Sequence, residues 1–274
     1  SPLRHEVRFV NTVPSAMHEL LRIDGLPEGV RGVCLAGEPF PAELARALGR
    51  HPGLRRIVNA YGPTEDTTYS TWAELDPASP DPPAIGRPLP GTHAWILDEQ
   101  LRPCAERESG ELFLGGIGLA RGYLGRPELT AERFLRDPFS DDPESRLYRT
   151  GDRVRLRADG QLEYIGRLDT QVKIRGYRIE LGEIERCLGD QTGVAECVAA
   201  VADGPDGDLR LVAYYTGDAA PGPLRVALAH SLPAFMVPAL FVPLREMPHT
   251  LSGKCDRKRL PPPDWSTRAA EGAP

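Results

Sequence analysis

The segment Tyr148–Glu185, YRTGDRVRLRADGQLEYIGRLDTQVKIRGYRIELGEIE, leaves this chain few ways to fold. The corner Arg149–Asp152 predicts the opening of a β-hairpin, with Ala158-Asp159-Gly160 as its turn. Asp and Gly suit that turn because Asp caps its own backbone and Gly tolerates left-handed angles. A second turn, Gly166–Asp169, closes the hairpin. A further hairpin-like piece centres on Arg175-Gly176-Tyr177-Arg178. Leu181, Ile184 and Leu188 then recur at helical spacing. The segment carries more ionic residues than packing requires, which points to a polar site or to a joint that moves.

The rest of the chain reads as two unequal domains. Before residue 60, helical and strand patterns alternate: a helix capped by Ser15 through Met17, Leu20 and Leu21, a strand over Val30–Leu35, a helix over Pro41–Leu48 and a strand over Ile57–Tyr61. Asp76–Pro90 is a Pro- and Asp-rich loop, and short strands follow from His93. Thr130–Phe134 predicts a short helix. Past the helix at 180–189 come strands at Val194–Ala202 and Leu209–Thr216, then a helix near Leu224–Ser231. That order suits a small α+β unit. The expected organisation is an α/β core portion over 1–168, incomplete on its N-terminal side and ending in β-hairpins. A small α+β C-terminal subdomain spans 169–265, and 266–274 is a linker.

Composition narrows the function classes. The 274 residues are 41% hydrophobic and 26% charged with a net charge of −6, so bulk electrostatics does not hold nucleic acid. No apolar run approaches the roughly 18 residues of a membrane span. Five cysteines, without a CxxC pair, argue against a disulfide framework or zinc site and fit a cytoplasmic location. The chain starts at Ser1 without a methionine and reads as cut from something longer. Lysine is scarce beside arginine, at Lys173, Lys254 and Lys258.

Four segments carry chemistry. Asn59-Ala60-Tyr61-Gly62-Pro63-Thr64-Glu65 ends a predicted strand, where ligands of α/β folds bind. Its aromatic ring, hydroxyl and carboxylate suit a base, a phosphate and a divalent cation; the same residues also suit a capped turn. Leu112–Tyr123 is glycine-rich but matches no phosphate-loop pattern and reads as a structural strand and turn. In the opening segment Asp152 can accept from a ribose and Arg167 can pair with phosphate, or both can be surface charges. In Thr250–Lys258, Lys254 follows Gly253 and can swing a charge into a cleft, or sit on a solvated basic turn.

Taken in order, NAYGPTE, GELFLGGIGLARGY, YRTGD, GRLDTQVKIRGYRIELGEIE and LSGKCDRKRLP resemble the adenylate-forming, AMP-binding superfamily, specifically the adenylation domains of nonribosomal peptide synthetases, from about Val7 through Leu260. The resemblance implies an ATP- and Mg²⁺-dependent ligase that forms aminoacyl-AMP and loads it on the phosphopantetheine of a carrier domain beside other synthetase domains. Neither nucleic acid nor a membrane is an implied partner. Tyr61 would lie near the adenine, lined by Gly37, Glu38, Pro39 and Gly62, with Asn59 at its amino group. Thr64 would meet phosphate and Glu65 would bind Mg²⁺. Asp152 would hold the ribose, with Tyr164 and Arg167 nearby. Asp169 would be the hinge, Lys254 the catalytic lysine, and Arg175, Gly176, Tyr177 and Arg178 the carrier-arm channel. The implied amino-acid pocket is Thr12, Cys34, Ala36, Ala60, Thr68 and Tyr69, which suits an uncharged side chain. The family's domain is roughly twice this length, and its triphosphate loop and the acid for the substrate amine are not in these residues. An acyl-CoA synthetase-like ligase and a non-catalytic nucleotide- or carrier-binding remnant are the alternatives, and the chain alone is expected to be inactive.

Overall fold

A computed structural model describes residues 4–250, 253 and 255–266 as a mixed α/β protein of several sheets and few helices. The chain divides into two compact units, Ser1–Asp169 and Thr170–Pro274.

The first unit holds two five-stranded sheets. The N-terminal one runs β1 (Phe9–Thr12), β2 (Gly32–Ala36), β3 (Arg56–Tyr61), β4 (Thr71–Glu74) and β5 (Arg87–Pro88) in spatial order. The first three strands are parallel, linked through α1 (Pro14–Arg22) and α2 (Ala42–Gly49). Side chains alternate across a strand, so one face takes Val33, Leu35 and Ile57 beneath Met17, Leu44 and Leu48. The other face carries Phe9, Cys34, Val58 and Trp72 around a shallow depression. Ser15 does not cap α1. Val13 holds that position, Pro14 begins the helix, and the Ser15 hydroxyl bonds Glu38 at 2.9 Å. Proline suits the first helical turn because its missing N–H has no intrahelical partner there.

The second sheet is built from β6 (Thr92–Leu97), β7 (Ser109–Gly116), β8 (Phe134–Arg136), β9 (Arg146–Leu156) and β10 (Leu162–Arg167), with α3 (Pro127–Arg133) entering β8. Leu112, Leu114, Val154 and Leu162 pack with Tyr61 and Ile85 on one face. Phe113, Leu97 and Leu147 pack on the other. The Arg149–Asp152 corner opens the β9–β10 hairpin at the pair Asp152–Arg167, and against β7 it is irregular. It is a bulge inside β9: Glu111 pairs with Arg153 but Phe113 pairs with Arg149, and Gly151 takes φ +74°. Extra residues on one strand re-aim side chains locally.

Hairpin β9–β10 carries a pH-sensitive ion pair. Glu163 accepts from Arg155 at 2.9 Å and Arg157 at 3.2 Å. Burial pushes its pKa up, but the two guanidinium groups outweigh burial and hold it below the ordinary value. A depressed folded pKa stabilises above the unfolded pKa and stops doing so as pH falls through the folded one. Glu163→Gln is therefore expected to cost about 1 kcal/mol at pH 7, with the difference closing below about pH 4, read by urea melts at both pH values.

In the second unit, β11 (Gln171–Ile174) and β12 (Tyr177–Glu180) form a two-residue hairpin. Arg175 and Gly176 both take positive φ, +51° and +79°, the geometry that matches strand twist in such turns. Asp208 holds Arg175 at 2.6 Å. Helix α4 (Leu181–Gly189) buries Leu181, Ile184 and Leu188, the spacing read from sequence. Strands β13 (Val194–Asp203) and β14 (Leu209–Gly217) are antiparallel, and β15 (Leu240–Pro243), which the sequence pattern did not reveal, joins β14 in parallel. α4 and α5 (Pro221–Ser231) cover Ala199, Leu211, Ala213 and Tyr215. All five cysteines are free thiols. Among the described residues no helix is long and apolar enough to cross a membrane.

Candidate functional site

The β9 bulge and the end of β3 meet in a buried polar cluster. Gly151 turns the strand so that Asp152 points inward, 3% exposed. A side chain at Gly151 would lie 2.6 Å from the Arg167 guanidinium. Tyr61, the last residue of β3, donates its hydroxyl to Asp152 Oδ2 at 2.5 Å. Arg167 donates to Asp152 Oδ1 at 2.9 Å, to the Thr150 carbonyl at 3.1 Å and to both oxygens of Asp169 at 2.6 Å. Tyr164 stands with its ring centroid 6.5 Å from that of Tyr61. Burial first, and the Asp152 charge second, push both phenols up, so they stay protonated donors at neutral pH. Burial works against the Arg167 cation, but Asp169 and Asp152 outweigh it. One cation between two carboxylates leaves local negative charge, which suits accepting hydrogen bonds from vicinal hydroxyls.

A second group lies on the turn after β3. Glu65 is buried, and the Tyr123 hydroxyl donates to its Oε1 at 2.6 Å. Thr64 is exposed. Asp66 is 1% exposed, and burial pushes its pKa up against the opposing effect of Ser70. Among the described residues there is no cluster of three or more His, Cys, Asp or Glu able to hold a metal. A hard ion that takes one or two carboxylates and fills its shell with phosphate and water still fits Glu65.

The remaining nucleotide-side residues divide. Gly37 adopts φ +85°, beside Glu38, whose carboxylate bonds the backbone and hydroxyl of Ser15, and Pro39 is exposed. Asn59 commits its amide N–H to the Ala84 carbonyl at 2.7 Å. Gly62 leaves no space for a side chain against the backbone of Thr68–Ser70.

Cys34, Ala36 and Ala60 form one apolar cluster, with Tyr69 packed against it. Thr68 is exposed at φ +75°. Thr12 does not join them: it stands in the register row of Leu35 and Asn59, and Leu35 faces the helices. The β1 residue in the row of Cys34 is Asn11, whose side-chain amide bonds the Tyr69 hydroxyl at 2.9 Å. Strand alternation counted from Cys34 would have revealed Asn11.

In the second unit, Arg175, Gly176 and Tyr177 sit exposed at the hairpin tip and Arg178 is half-buried. Tyr177 stacks on Phe235 at 4.2 Å and 7°. Lys254 lies outside the described residues.

Residues 3–124 match the AMP-binding enzyme family. The chain is 50% identical over 273 residues to a linear gramicidin synthase of Brevibacillus parabrevis, covering 98% of this chain and 5% of that protein. It is 52% identical over 278 residues to the AMB antimetabolite synthetase AmbB of Pseudomonas aeruginosa, covering 100% of this chain and 22% of that protein. It thus spans a small part of the curated relatives it matches. Among solved structures, holo-PA1221, an NRPS protein containing adenylation and PCP domains, superposes with a TM-score of 0.80 at 33% identity, over 92% of this chain and 44% of that one. Residues 3–124 belong to the AMP-binding enzyme family, and nearly the whole chain is similar to segments of peptide synthetases and of an NRPS protein containing adenylation and PCP domains.

Proposed function

We propose that this chain is part of a ligase that activates an amino acid with ATP and transfers it to the phosphopantetheine thiol of a carrier domain. The observation that carries the reading is the buried cluster of Tyr61, Asp152, Tyr164 and Arg167, with Glu65 on the adjoining turn. These residues are far apart in sequence and share the chemistry a nucleotide needs. In the reaction a carboxylate oxygen attacks the α-phosphorus and pyrophosphate leaves. The thiol then attacks the acyl carbon and AMP leaves.

In this reading Asp152 accepts from the ribose hydroxyls, held in place by Tyr61 and Arg167. Tyr61 and Tyr164 offer aromatic surface to the base, beside Gly37, Glu38, Pro39, Asn59 and Gly62. Thr64 donates to phosphate. Glu65 holds Mg²⁺, which when bound neutralises phosphate charge. The pocket of Cys34, Ala36, Ala60, Thr68 and Tyr69, with Asn11, takes an uncharged side chain. Residues 1–168 act as the core portion and 169–265 as a small mobile subdomain hinged at Asp169. Arg175–Arg178 face the carrier arm, and Lys254 sets a cation against the α-phosphate and the attacking carboxylate.

Lys254→Ala, in an adenylation protein carrying this chain, tests the assignment. ATP–pyrophosphate exchange is expected to slow by about 100-fold or more, with the melting temperature unchanged. An unchanged exchange rate refutes the role of Lys254.

A further inference from the structure

The glycine-rich segment after β7, which the sequence offers only as a strand and turn, grips the turn that carries Glu65. The Ala120 N–H donates to the Glu65 carbonyl at 2.8 Å. The Thr67 hydroxyl donates to the Gly118 carbonyl at 2.6 Å, and a side chain at Gly118 would lie 2.7 Å from Asp66 Oδ1. Tyr123 then reaches back 58 residues to Glu65 Oε1.

Tyr123 is itself held from several directions. Its N–H donates to Thr130 Oγ1 at 2.9 Å. Gly122, at φ +145°, permits that approach, because a side chain there would lie 2.4 Å from Thr130. The Tyr123 ring meets Phe134 edge-on at 5.6 Å, and Phe134 packs on Tyr148 at 5.1 Å. Arg146 lies over Phe134 at 5.4 Å and donates to the carbonyls of Ala120 and Arg121 at 3.0 and 2.9 Å. A flexible phenol would only share a hydrogen bond with the carboxylate. This one is locked by packing, so its short, charge-assisted bond fixes the direction of the Glu65 side chain.

We propose that Tyr123 is a positioning residue that orients the Glu65 carboxylate for a divalent cation, and that the Gly116–Tyr123 turn is the device that places it. The proposal rests on the reading of Glu65 as the Mg²⁺ holder. Partners that orient a metal ligand are commonly worth 10–100-fold in metal affinity.

The test uses an adenylation protein carrying this chain, with Tyr123→Phe and Glu65→Gln. Mn²⁺ affinity is read by electron paramagnetic resonance beside a non-hydrolysable ATP analogue, and the Mg²⁺ dependence of exchange is read in parallel. Tyr123→Phe is expected to weaken Mn²⁺ binding about tenfold and to raise the half-saturating Mg²⁺ in step. Wild-type Mn²⁺ affinity in Tyr123→Phe, where Glu65→Gln has lost it, overturns the positioning role and leaves the Glu65 reading standing. A melting-temperature loss with no change in metal affinity likewise overturns it, as a packing role only. Wild-type affinity in Glu65→Gln overturns both.

Discussion

Gly86→Ala is expected to cost about 2–5 kcal/mol of folding stability. Gly86 is buried at φ +83°, where a β-carbon would stand 1.8 Å from the Trp72 carbonyl oxygen and 2.1 Å from its carbon. Alanine loses about 1–2 kcal/mol in the left-handed region alone, and overpacking adds about 1–3 kcal/mol. The backbone cannot step aside cheaply. Its N–H and carbonyl bond Leu162 at 3.3 and 2.7 Å, so Gly86 ties the loop after β4 to β10. The expected loss is a large fraction of the roughly 5–15 kcal/mol that stabilises an ordinary domain. Gly125→Ala is the control: φ is +67° but nothing lies within 4 Å, so only the backbone cost of about 1–2 kcal/mol applies. Urea melts monitored by circular dichroism separate the two. A Gly86→Ala protein melting alongside Gly125→Ala would contradict the close approach to Trp72.

Asp152→Ala carries the second large effect, about 2–4 kcal/mol. Removing one partner of a buried ion pair leaves the other charge buried without full compensation. Arg167 keeps Asp169 and the Thr150 carbonyl, which limits the loss, but the buried Tyr61 hydroxyl loses the Asp152 carboxylate oxygen. Taking a charged acceptor from a buried hydroxyl adds about 1–3 kcal/mol. Asp152→Asn retains an oxygen for Tyr61 and is expected to lose less. Tyr61→Phe combined with Asp152→Ala is expected to be less destabilising than the sum of the singles, by about 1 kcal/mol, because residues in one network couple. Strict additivity would show that the two side chains do not share the bond.

Much of the local structure was legible because its physical cause is local. Leu181, Ile184 and Leu188 recur every turn, so α4 was readable, and the short run Ile57–Tyr61, with β-branched Ile57 and Val58, marks β3. Ala158-Asp159-Gly160 supplies the turn chemistry that joins β9 to β10. Other features have equally definite causes that lie outside the local pattern. Thr12 and Asn11 differ by one residue, and in a strand one residue exchanges the two faces. Proline at position 14, rather than a capping bond from Ser15, starts α1. The bulge at Gly151 depends on where β7 pairs, which no local pattern encodes.

The sequence alone determined which chemical groups are present and in what order. Its motifs name Tyr61, Glu65, Asp152 and Arg167, and its periodicity places them at strand ends and turns. Which of these groups meet depends on how the whole chain folds. Tyr61 and Asp152 lie 91 residues apart, and Glu65 and Tyr123 lie 58 apart. Such contacts arise from sheet register and from the bulge in β9. Register is set by the packing of whole faces against one another, so no single stretch of residues contains it.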